Sequence, residues 1–277
     1  MKKCFLSFLF LLSACAPSAQ ESASEHSLPD GDESAIVGGR RVTNTDPRAN
    51  WVVMVRGTKG SFLFRSSGIC TGAFITEDVI LTAAHCLDEK DAKYDIAYGL
   101  NPLEEKRKVI RIDKVITHED YKRDTSKLGA YDIALIKIRD PKPARLKILG
   151  LQAQPTLDQP TAYLAIGYGK TSEGSKVKER GVLHSTPTII SEINETHLIG
   201  NQKNGIGICQ GDSGGPLLKA DENGEPVIIG ITHATFRYKG DPVTSNECYS
   251  RAAYVSVANQ MDWIQKNLKL LSDHSDK

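Results

Sequence analysis

The chain has 277 residues, of which 40% are hydrophobic and 25% are charged, values that are typical of soluble globular proteins. Its 35 basic and 34 acidic residues leave a net charge of +1. No basic run carries interleaved aromatic residues, so nucleic acid is not an expected partner. The length allows one large all-β unit or two smaller domains, either of which can bury a substantial core.

Residues 1–15 are predicted to be an export signal. Lys2 and Lys3 precede the apolar run CFLSFLFLL, whose nine residues are too few to cross a bilayer. The end of the signal fits two kinds of cleavage: ACA satisfies the small-x-small rule, whereas LSAC resembles the lipobox of bacterial lipoproteins, in which the cysteine becomes lipid-modified. Pro17 disfavours the ordinary cut, so lipidation of Cys15 is the favoured interpretation.

Residues 16–35 contain five acidic residues and no Lys or Arg. The segment has almost no large apolar residues, so it cannot bury enough surface to offset the loss of chain entropy on ordering. We expect a flexible propeptide or tether with a reach on the order of 25 Å.

The chain has six cysteines. Export by either kind of signal delivers it to an oxidising compartment, where disulfides form and persist. Once Cys4 and Cys15 are set aside, four cysteines remain, which allow three pairings. They are Cys70, Cys86, Cys209 and Cys248.

From Ile36 onward the sequence consists of short β-branched or alternating runs, such as WVVMVRG, DVILTAA and PVIIGITHA, separated by Gly, Asn, Asp and Pro. This texture is typical of a β-sandwich or β-barrel and not of alternating strands and helices. A proline-rich stretch at 140–160 divides the runs into two sets of similar size. NQMDWIQKNLKLL, at 259–271, places apolar residues at helical spacing and predicts one amphipathic helix near the C-terminus.

The run GDSGGP at 211–216 contains one serine among residues that permit sharp backbone turns. Acyl transfer needs a nucleophile, a base, a group that orients the base and donors for the developing oxyanion. Glycines around Ser213 would let the backbone approach a substrate carbonyl, with the amides of Gly211 and Ser213 directed at its oxygen. Taken alone, the run is also compatible with a glycine-rich hairpin that holds an incidental serine.

Two further motifs offer a base and an orienting group. LTAAHC places His85 among small apolar residues, where an isolated histidine is more often part of a core. YDIALIKI places Asp132 at the head of an apolar strand, where burying a carboxylate is unfavourable unless it has a partner such as an imidazole N–H. By itself, Asp132 would be interpreted as a strand-end or capping residue.

Taken together, IVGG at 36–39, TAAHC, DIAL and GDSGGP resemble the chymotrypsin family of serine proteases, in the family's order of His, Asp and Ser. AIGYGKT, at 165–171, resembles the start of the family's second barrel, with Tyr168 where a tryptophan is common. The resemblance runs from Ile36 almost to the end of the chain. Motifs in both halves and in the right order make a chance match very improbable.

The resemblance implies an all-β fold of two six-stranded antiparallel barrels with the active site between them and a C-terminal helix. The protease domain would cover 36–277, with the first barrel at about 36–145 and the second at about 146–277. It also implies two disulfides, Cys70–Cys86 and Cys209–Cys248.

The resemblance assigns a role to each candidate catalytic residue. Ser213 would be acylated, with His85 as general base and then general acid. Asp132 would hold the imidazole tautomer, and the amides of Gly211 and Ser213 would bind the oxyanion. The mechanism implied by the resemblance needs no metal or organic cofactor. Some family members hold calcium in a loop of the first barrel, but the corresponding loop at 101–109 is short and rich in Lys and Arg, so none is expected here.

Activation is expected to require cleavage between Ala35 and Ile36. In this family the new ammonium group pairs with the aspartate before the serine, here Asp212, and a buried carboxylate without its cation is unfavourable. The uncut precursor is therefore expected to be poorly active. Ala35 is neither Arg nor Lys, so we expect activation by the enzyme itself or by a protease of elastase-like preference.

Gly207 lies where trypsin-like members carry an aspartate at the base of the primary specificity pocket. Without that charge, cleavage after basic residues is disfavoured. By alignment, Thr235 and Ala252 occupy two wall positions and would narrow the pocket, as in elastase-like members. We expect small or medium apolar residues before the cut, with discrimination of ~1–3 kcal/mol per methylene.

His233 stands where the family usually has a serine beside the catalytic aspartate. Its imidazole would add a hydrogen bond to Asp132 or a second titration near neutral pH.

The expected function is that of an exported serine endopeptidase that acts as a monomer on protein or peptide substrates. It would be anchored at the bacterial cell envelope through a lipid on Cys15, its sole link to the membrane, and released after activation. The alternative is a catalytically silent homologue that serves as a cell-surface binding protein. Such homologues usually lack one catalytic residue or IVGG, whereas all are present here.

Overall fold

The structure, a computed structural model, describes residue 36 and residues 38–273, apart from 61–64, 106–107, 124–127, 153–162, 172–179, 203–204 and 241–246. The predicted export signal with Cys15 and the predicted tether with Ala35 lie outside the described residues. Within the described ranges, no helix is both long enough and apolar enough to cross a membrane.

Strands dominate the described chain, and one α-helix follows them. The strands are β1 (Arg40–Arg41), β2 (Val53–Gly60), β3 (Arg65–Phe74), β4 (Val79–Thr82), β5 (Lys93–Ala97), β6 (Val109–Ile110), β7 (Ile112–Thr117), β8 (Ala134–Ile138), β9 (Gly150–Leu151), β10 (Tyr163–Gly167), β11 (His184–Thr188), β12 (Ile190–Ile193), β13 (His197–Asn201), β14 (Pro216–Ala220), β15 (Pro226–Phe236) and β16 (Arg251–Ser256). The helix α1 spans Met261–Ser272, and short 3-10 turns occur at Pro47–Asn50, Ala84–Cys86, Glu247–Tyr249 and Ala258–Gln260.

The first sheet has the order β6-β5-β2-β3-β4-β8-β7, and its pairings are antiparallel. β6 and β7 lie at opposite ends of this order, yet only Arg111 separates them along the chain. One interrupted strand therefore pairs with both edges and closes the sheet into a barrel. Counted this way, the seven strands form the six of the expected barrel.

The second sheet closes in the same way. Its order is β1-β11-β10-β14-β15-β16-β13-β12, and only Ile189 separates β11 from β12 along the chain. β1 and β9 are two-residue additions at its margins, of which β9 pairs parallel with β15. The expectation of two six-stranded antiparallel barrels with a C-terminal helix is confirmed.

Each barrel has its own apolar interior because alternate side chains along its strands turn inward. In the first barrel Val55, Ile80 and Ile136 are at most 1% exposed. Leu217 and Tyr254 are equally buried in the second. A further cluster, which includes Tyr168, joins residues of both barrels, and the Tyr168 hydroxyl donates to Gly99 O at 3.0 Å.

The two halves of the chain exchange short segments between the barrels. β1 comes before the first barrel in sequence but pairs with β11 of the second. The helix α1 follows the second barrel and packs on the first, where Lys137 Nζ donates to Leu271 O at 2.6 Å. Strands β2–β8 thus form the first barrel and β10–β16 the second, and the predicted division at about residue 145 does not include the two exchanged segments.

Trp263 anchors α1 beside the segment that leads to Asp132. Its indole lies 5.0 Å from the His118 ring, which stacks at 4.5 Å on Tyr131. Its Nε1–H donates to Glu119 Oε2 at 2.6 Å. Aromatic stacking and a hydrogen bond from a largely buried indole together fix the helix on the first barrel.

We expect Trp263→Ala to lower the free energy of unfolding by about 3–5 kcal/mol, because it removes a large buried ring and leaves a cavity. Trp263→Phe keeps part of the stack and should have a smaller effect. Denaturant unfolding, followed in a Ser213→Ala background to prevent self-digestion, measures both changes. Leu270→Ala is the control, because Leu270 is 43% exposed on the same helix; an equal loss of stability for that variant would contradict the assignment.

Candidate active site

His85 lies in the 3-10 turn Ala84–Cys86, directly after the buried strand β4. The turn is closed by the Leu87 amide, which donates to Ala84 O at 2.9 Å. The neighbouring Cys86 forms a disulfide with Cys70 on β3. Strand, turn and disulfide together present the imidazole at the edge of the first barrel.

Asp132 lies just before β8 and is completely buried. Its Oδ1 accepts a hydrogen bond of 2.8 Å from His85 N, and its Oδ2 accepts one of 2.6 Å from His85 Nδ1. Oδ2 also accepts a hydrogen bond from His233 Nδ1. Burial raises the pKa of Asp132, but the hydrogen bonds from His233 and His85 outweigh it and hold the pKa below its ordinary value.

The ionised carboxylate sets the tautomer of both imidazoles. An ionised carboxylate only accepts hydrogen bonds, so His85 and His233 must each carry a proton on Nδ1. In the neutral ring of His85, Nε2 then has a free lone pair. This is the form of histidine that can take a proton from a hydroxyl.

The loop that carries the predicted nucleophile, residues 209–215, is held by both barrels and is called the nucleophile loop below. The amide of Thr71 on β3 donates to Ser213 O at 2.8 Å, and Cys86 Sγ lies 3.7 Å from the same oxygen. On the other side, the Gly214 amide donates to Thr232 O on β15 at 2.7 Å. Ser213 is therefore fixed beside the turn that carries His85.

Gly214 must be glycine for this contact between barrels. It has a φ of +77°, and a Cβ there would lie 2.1 Å from Thr82 Oγ1 and 2.5 Å from Thr71 O. Thr82 Oγ1 donates to Thr71 O at 2.8 Å, and Thr71 Oγ1 donates to Gly211 O at 3.1 Å. Thr71 thus holds the nucleophile loop directly, and Thr82 holds Thr71 in place.

The predicted oxyanion donors, the backbone amides of Gly211 and Ser213, remain available. Within the described chain, neither Gly211 N nor Ser213 N donates a hydrogen bond to another residue. Gly211 adopts a φ of +106°, and a Cβ there would lie 2.9 Å from Gly169 Cα. The close approach fixes the loop against residue 169 while leaving both amides free for a ligand oxygen.

Asp212 is buried within the same loop. Its Oδ1 accepts from Gly169 N at 2.8 Å and its Oδ2 from Cys209 N at 2.9 Å. Burial raises its pKa to about 7, because these two amides offset only part of the desolvation. Cys209 is itself tied to Cys248 by the second disulfide.

The segment that begins with Ile36 already lies in the protein. Ile36 is fully buried, and a Cβ on Gly38 would lie 2.8 Å from Ile206 Cγ1 and 3.1 Å from Gly205 O. Residues 205 and 206 precede the nucleophile loop. The chain two residues after the predicted new N-terminus is thus packed against the segment that leads to Asp212.

The predicted pocket residues fall in two places. Thr235 on β15 and Ala252 on β16 are direct cross-strand partners, next to a register shift at His233. Ala252 is completely buried, whereas Thr235 is partly exposed. Gly207 lies instead against the side chain of Gln202, which no motif in the sequence pointed to.

Sequence patterns also gave no signal for His197 and Thr71. His197 is 2% exposed, its ring lies 5.6 Å from that of His233, and burial lowers its pKa to about 4. It therefore packs as a neutral ring behind the imidazole that binds Asp132. Thr71 stands beside Cys70 in an ordinary strand pattern, and its two hydrogen bonds to the nucleophile loop depend on the contact between barrels.

His85, Asp132 and His233 also have ligand atoms within 4.8 Å of one another, close enough for a metal ion. Both imidazoles, however, hydrogen-bond directly to the carboxylate. The hydrogen bonds account for the cluster, and no cofactor site follows from it.

Similarity to known proteins covers both barrels. The family model described as Trypsin matches residues 36–264. The venom peptide isomerase heavy chain of Agelenopsis aperta is 30% identical over 260 residues, which cover 84% of this chain and 100% of that protein. Trypsin eta of Drosophila erecta is 29% identical over 280 residues, which cover 94% of this chain and 95% of that protein.

A solved structure shows the same fold. Neuropsin, a serine protease expressed in the limbic system of mouse brain, superposes with a TM-score of 0.60 at 21% identity. The superposition covers 83% of this chain and 98% of neuropsin. With a family match that runs from residue 36 through both barrels and into α1, the chain belongs to the trypsin family of serine proteases.

Proposed function

We propose that the mature protein is a serine endopeptidase that hydrolyses peptide bonds through Ser213, His85 and Asp132. The observation that carries this proposal is the pair of hydrogen bonds from His85 to the buried Asp132 carboxylate, 2.8 Å from its amide and 2.6 Å from Nδ1. They orient the ring and leave Nε2 as the proton acceptor. The family membership supports the same reaction class.

The reaction follows from these roles. Ser213 Oγ attacks the substrate carbonyl carbon as its proton passes to His85 Nε2, and the imidazolium then protonates the leaving amine. Water enters and repeats the sequence to release the acid and regenerate the serine. Asp132 stays ionised throughout, since its lowered pKa lets its charge stabilise each imidazolium.

The two free amides of the nucleophile loop complete the site. Gly211 N and Ser213 N would donate to the carbonyl oxygen as it becomes negative, and one such donor contributes about 10²–10³ to kcat in acyl transfer. Because the loop is fixed by Thr71 and Thr232, the donors are held before the substrate arrives. Preorganised donors need no reorganisation during the reaction.

We further propose that cleavage at Ala35–Ile36 activates the enzyme. In the uncut chain Ile36 has a φ of +41°, which β-branched residues rarely adopt. Cutting before Ile36 removes this dihedral constraint and creates an ammonium group. That group would supply the cation that the buried Asp212 lacks, and so stabilise the nucleophile loop.

The pocket supports cleavage after small or medium apolar residues such as Ala and Val. Gly207 brings no charge, and the paired Thr235 and Ala252 carry side chains on the two strands that would form the walls. An alanine before the activation site fits this preference and is compatible with self-activation. Export and lipidation of Cys15 stay predictions from the sequence.

A fluorophosphonate probe tests the nucleophile and separates an active protease from a silent binding homologue. We expect the mature protein that begins at Ile36 to be labelled on Ser213, as located by peptide mass spectrometry, and Ser213→Ala to be unlabelled. Asp132→Asn should lower kcat on an alanine-containing peptide by about 10⁴, because the imidazole loses its required tautomer. An unlabelled mature protein would favour the silent homologue.

The uncut and mature forms should differ in the pH dependence of their stability. The folded pKa of Asp212 in the uncut chain is about 7, above the ordinary 3.8. The stability that this group contributes is therefore fully present below about pH 4 and is lost as pH rises to about 7, by up to about 1.4 kcal/mol per pH unit. In the mature form the ammonium of Ile36 should cancel this loss.

Thermal unfolding of both forms between pH 4 and pH 8 measures this difference. The Ser213→Ala background prevents self-digestion, and an elastase-like protease supplies the cut. The advantage of the mature form should grow with pH, and Asp212→Asn should abolish that growth. A constant difference across the range would contradict the pairing of Ile36 with Asp212.

His233 should shift the acidic limb of the pH–rate profile. Its Nδ1–H binds the same Oδ2 of Asp132 that receives His85, so it draws off part of the negative charge. In His233→Ala more of that charge stabilises the His85 imidazolium, and the limb of kcat/KM should move to higher pH by about one unit. The control is His184→Gln, since that buried histidine binds Val182 O and not Asp132; a shift of equal size there would refute the role of His233.

A further inference from the structure

Gln202, the residue after β13, has a buried and fully fixed side chain. It is 1% exposed. Its Nε2 donates to Ile208 O at 3.1 Å and to Cys248 O at 2.7 Å, while its Oε1 accepts from Ile208 N at 2.7 Å. Its own amide donates to Ser250 O at 3.0 Å. The side chain therefore links three segments: the end of β13, the approach to the nucleophile loop, and the disulfide.

This side chain fills the space in front of Gly207. A Cβ at residue 207 would lie 2.1 Å from Gln202 Cδ, 2.2 Å from Oε1 and 2.4 Å from Cγ. Real Cβ atoms essentially never approach another heavy atom within 3.0 Å. Any residue larger than glycine at 207 must therefore displace Gln202, and displacement would break its hydrogen bonds.

The chemistry of this amide suits an apolar substrate. Both protons of Nε2 are used on carbonyl oxygens, and Oε1 already accepts one amide proton. A neutral group with its donors occupied offers neither a counter-charge for Lys or Arg nor a donor for an acidic side chain. Its volume also shortens the space beyond residue 207.

We propose that Gln202 is a specificity-determining residue that closes the base of the primary specificity pocket, and that Gly207 is glycine because Gln202 occupies its side-chain space. This inference rests on the proposed endopeptidase function. Under this inference, the side chain of Gln202, which is 46 residues before Cys248 in the sequence, limits the size of the substrate side chain. The absence of a side chain at residue 207 does not set that limit. Charge and depth at the base are then controlled by different residues.

Selectivity measurements on the mature enzyme test the role in substrate choice. Gln202→Ala should raise the ratio of kcat/KM for Leu over Ala before the cut by about tenfold or more, because it adds room for extra methylene groups. Gln202→Met fills the same volume without hydrogen bonds and should keep the wild-type ratio. Gln260→Ala is the matched control, since it removes another buried glutamine, whose Nε2 donates to Ala130 O and not to Ile208 or Cys248. An unchanged ratio in Gln202→Ala would overturn the proposal.

A charge at residue 207 gives the second selectivity test. Gly207→Asp alone should not create cleavage after Arg, because Gln202 blocks the position. With Gln202→Ala added, the preference for Arg over Ala should rise by about a hundredfold, as expected for a charge pair removed from water. Efficient cleavage after Arg by the single variant would show that Gln202 leaves the base open.

A stability measurement tests the packing without relying on catalysis. In the Ser213→Ala background, Gly207→Ala should lower Tm by at least about 3 °C more in the presence of Gln202 than with Gln202→Ala. The backbone strain at residue 207 is common to both comparisons and cancels. Equal effects would overturn the packing, whereas a coupled Tm with no probe labelling of the mature enzyme would refute the endopeptidase function alone.

Discussion

Burial of the Asp132 carboxylate is the constraint on which the rest of the site depends. An ionised group cannot be removed from water unless donors replace the solvent, and here the donors come from both barrels. His85 supplies its amide and its ring from the first barrel, and His233 supplies its ring from β15 of the second. The barrels must therefore be correctly docked before the charge of Asp132 is satisfied, which couples the catalytic geometry to the whole fold.

Asp212 shows what happens when the donors are incomplete. Like Asp132 it is almost completely buried, but its partners are two backbone amides and no imidazole. The pKa values of the two carboxyl groups consequently move in opposite directions, down for Asp132 and up to about 7 for Asp212. Asp132 therefore has the donors it needs to hold its charge, whereas Asp212 lacks a cation, which under the proposed activation would come from the ammonium group of Ile36.

Much of the fold and the candidate site could be predicted because their signals are local. GDSGGP, TAAHC and DIAL each combine a reactive side chain with neighbours that serve its immediate geometry, as the clash of a Cβ on Gly214 with Thr71 and Thr82 illustrates. Both disulfides implied by the family resemblance are present. The strands could be predicted from alternating hydrophobicity, because that pattern reflects burial within one barrel.

Gln202, Thr71 and His197 were not predictable for the opposite reason. Their roles depend on main-chain atoms and rings that are remote in sequence, such as Cys248 O for Gln202 and Ser213 O for Thr71. In the sequence, a buried glutamine within a polar stretch cannot be distinguished from an exposed one. Only the folded chain brings its hydrogen-bond partners to it. The exchange of β1 and α1 between barrels could not be predicted either, because the residue pattern of each segment does not indicate which barrel it joins.

The packing of α1 on the first barrel has a consequence for synthesis. Ribosomes build a chain from its N-terminus, so His118, Tyr131 and Asp132 emerge long before Trp263, which stacks over this region. A chain interrupted within the second barrel would lack that support, and one interrupted before residue 209 would also lack the nucleophile loop and the imidazole of His233. The arrangement around Asp132 is therefore complete only after the last helix has been synthesised and has packed on the first barrel.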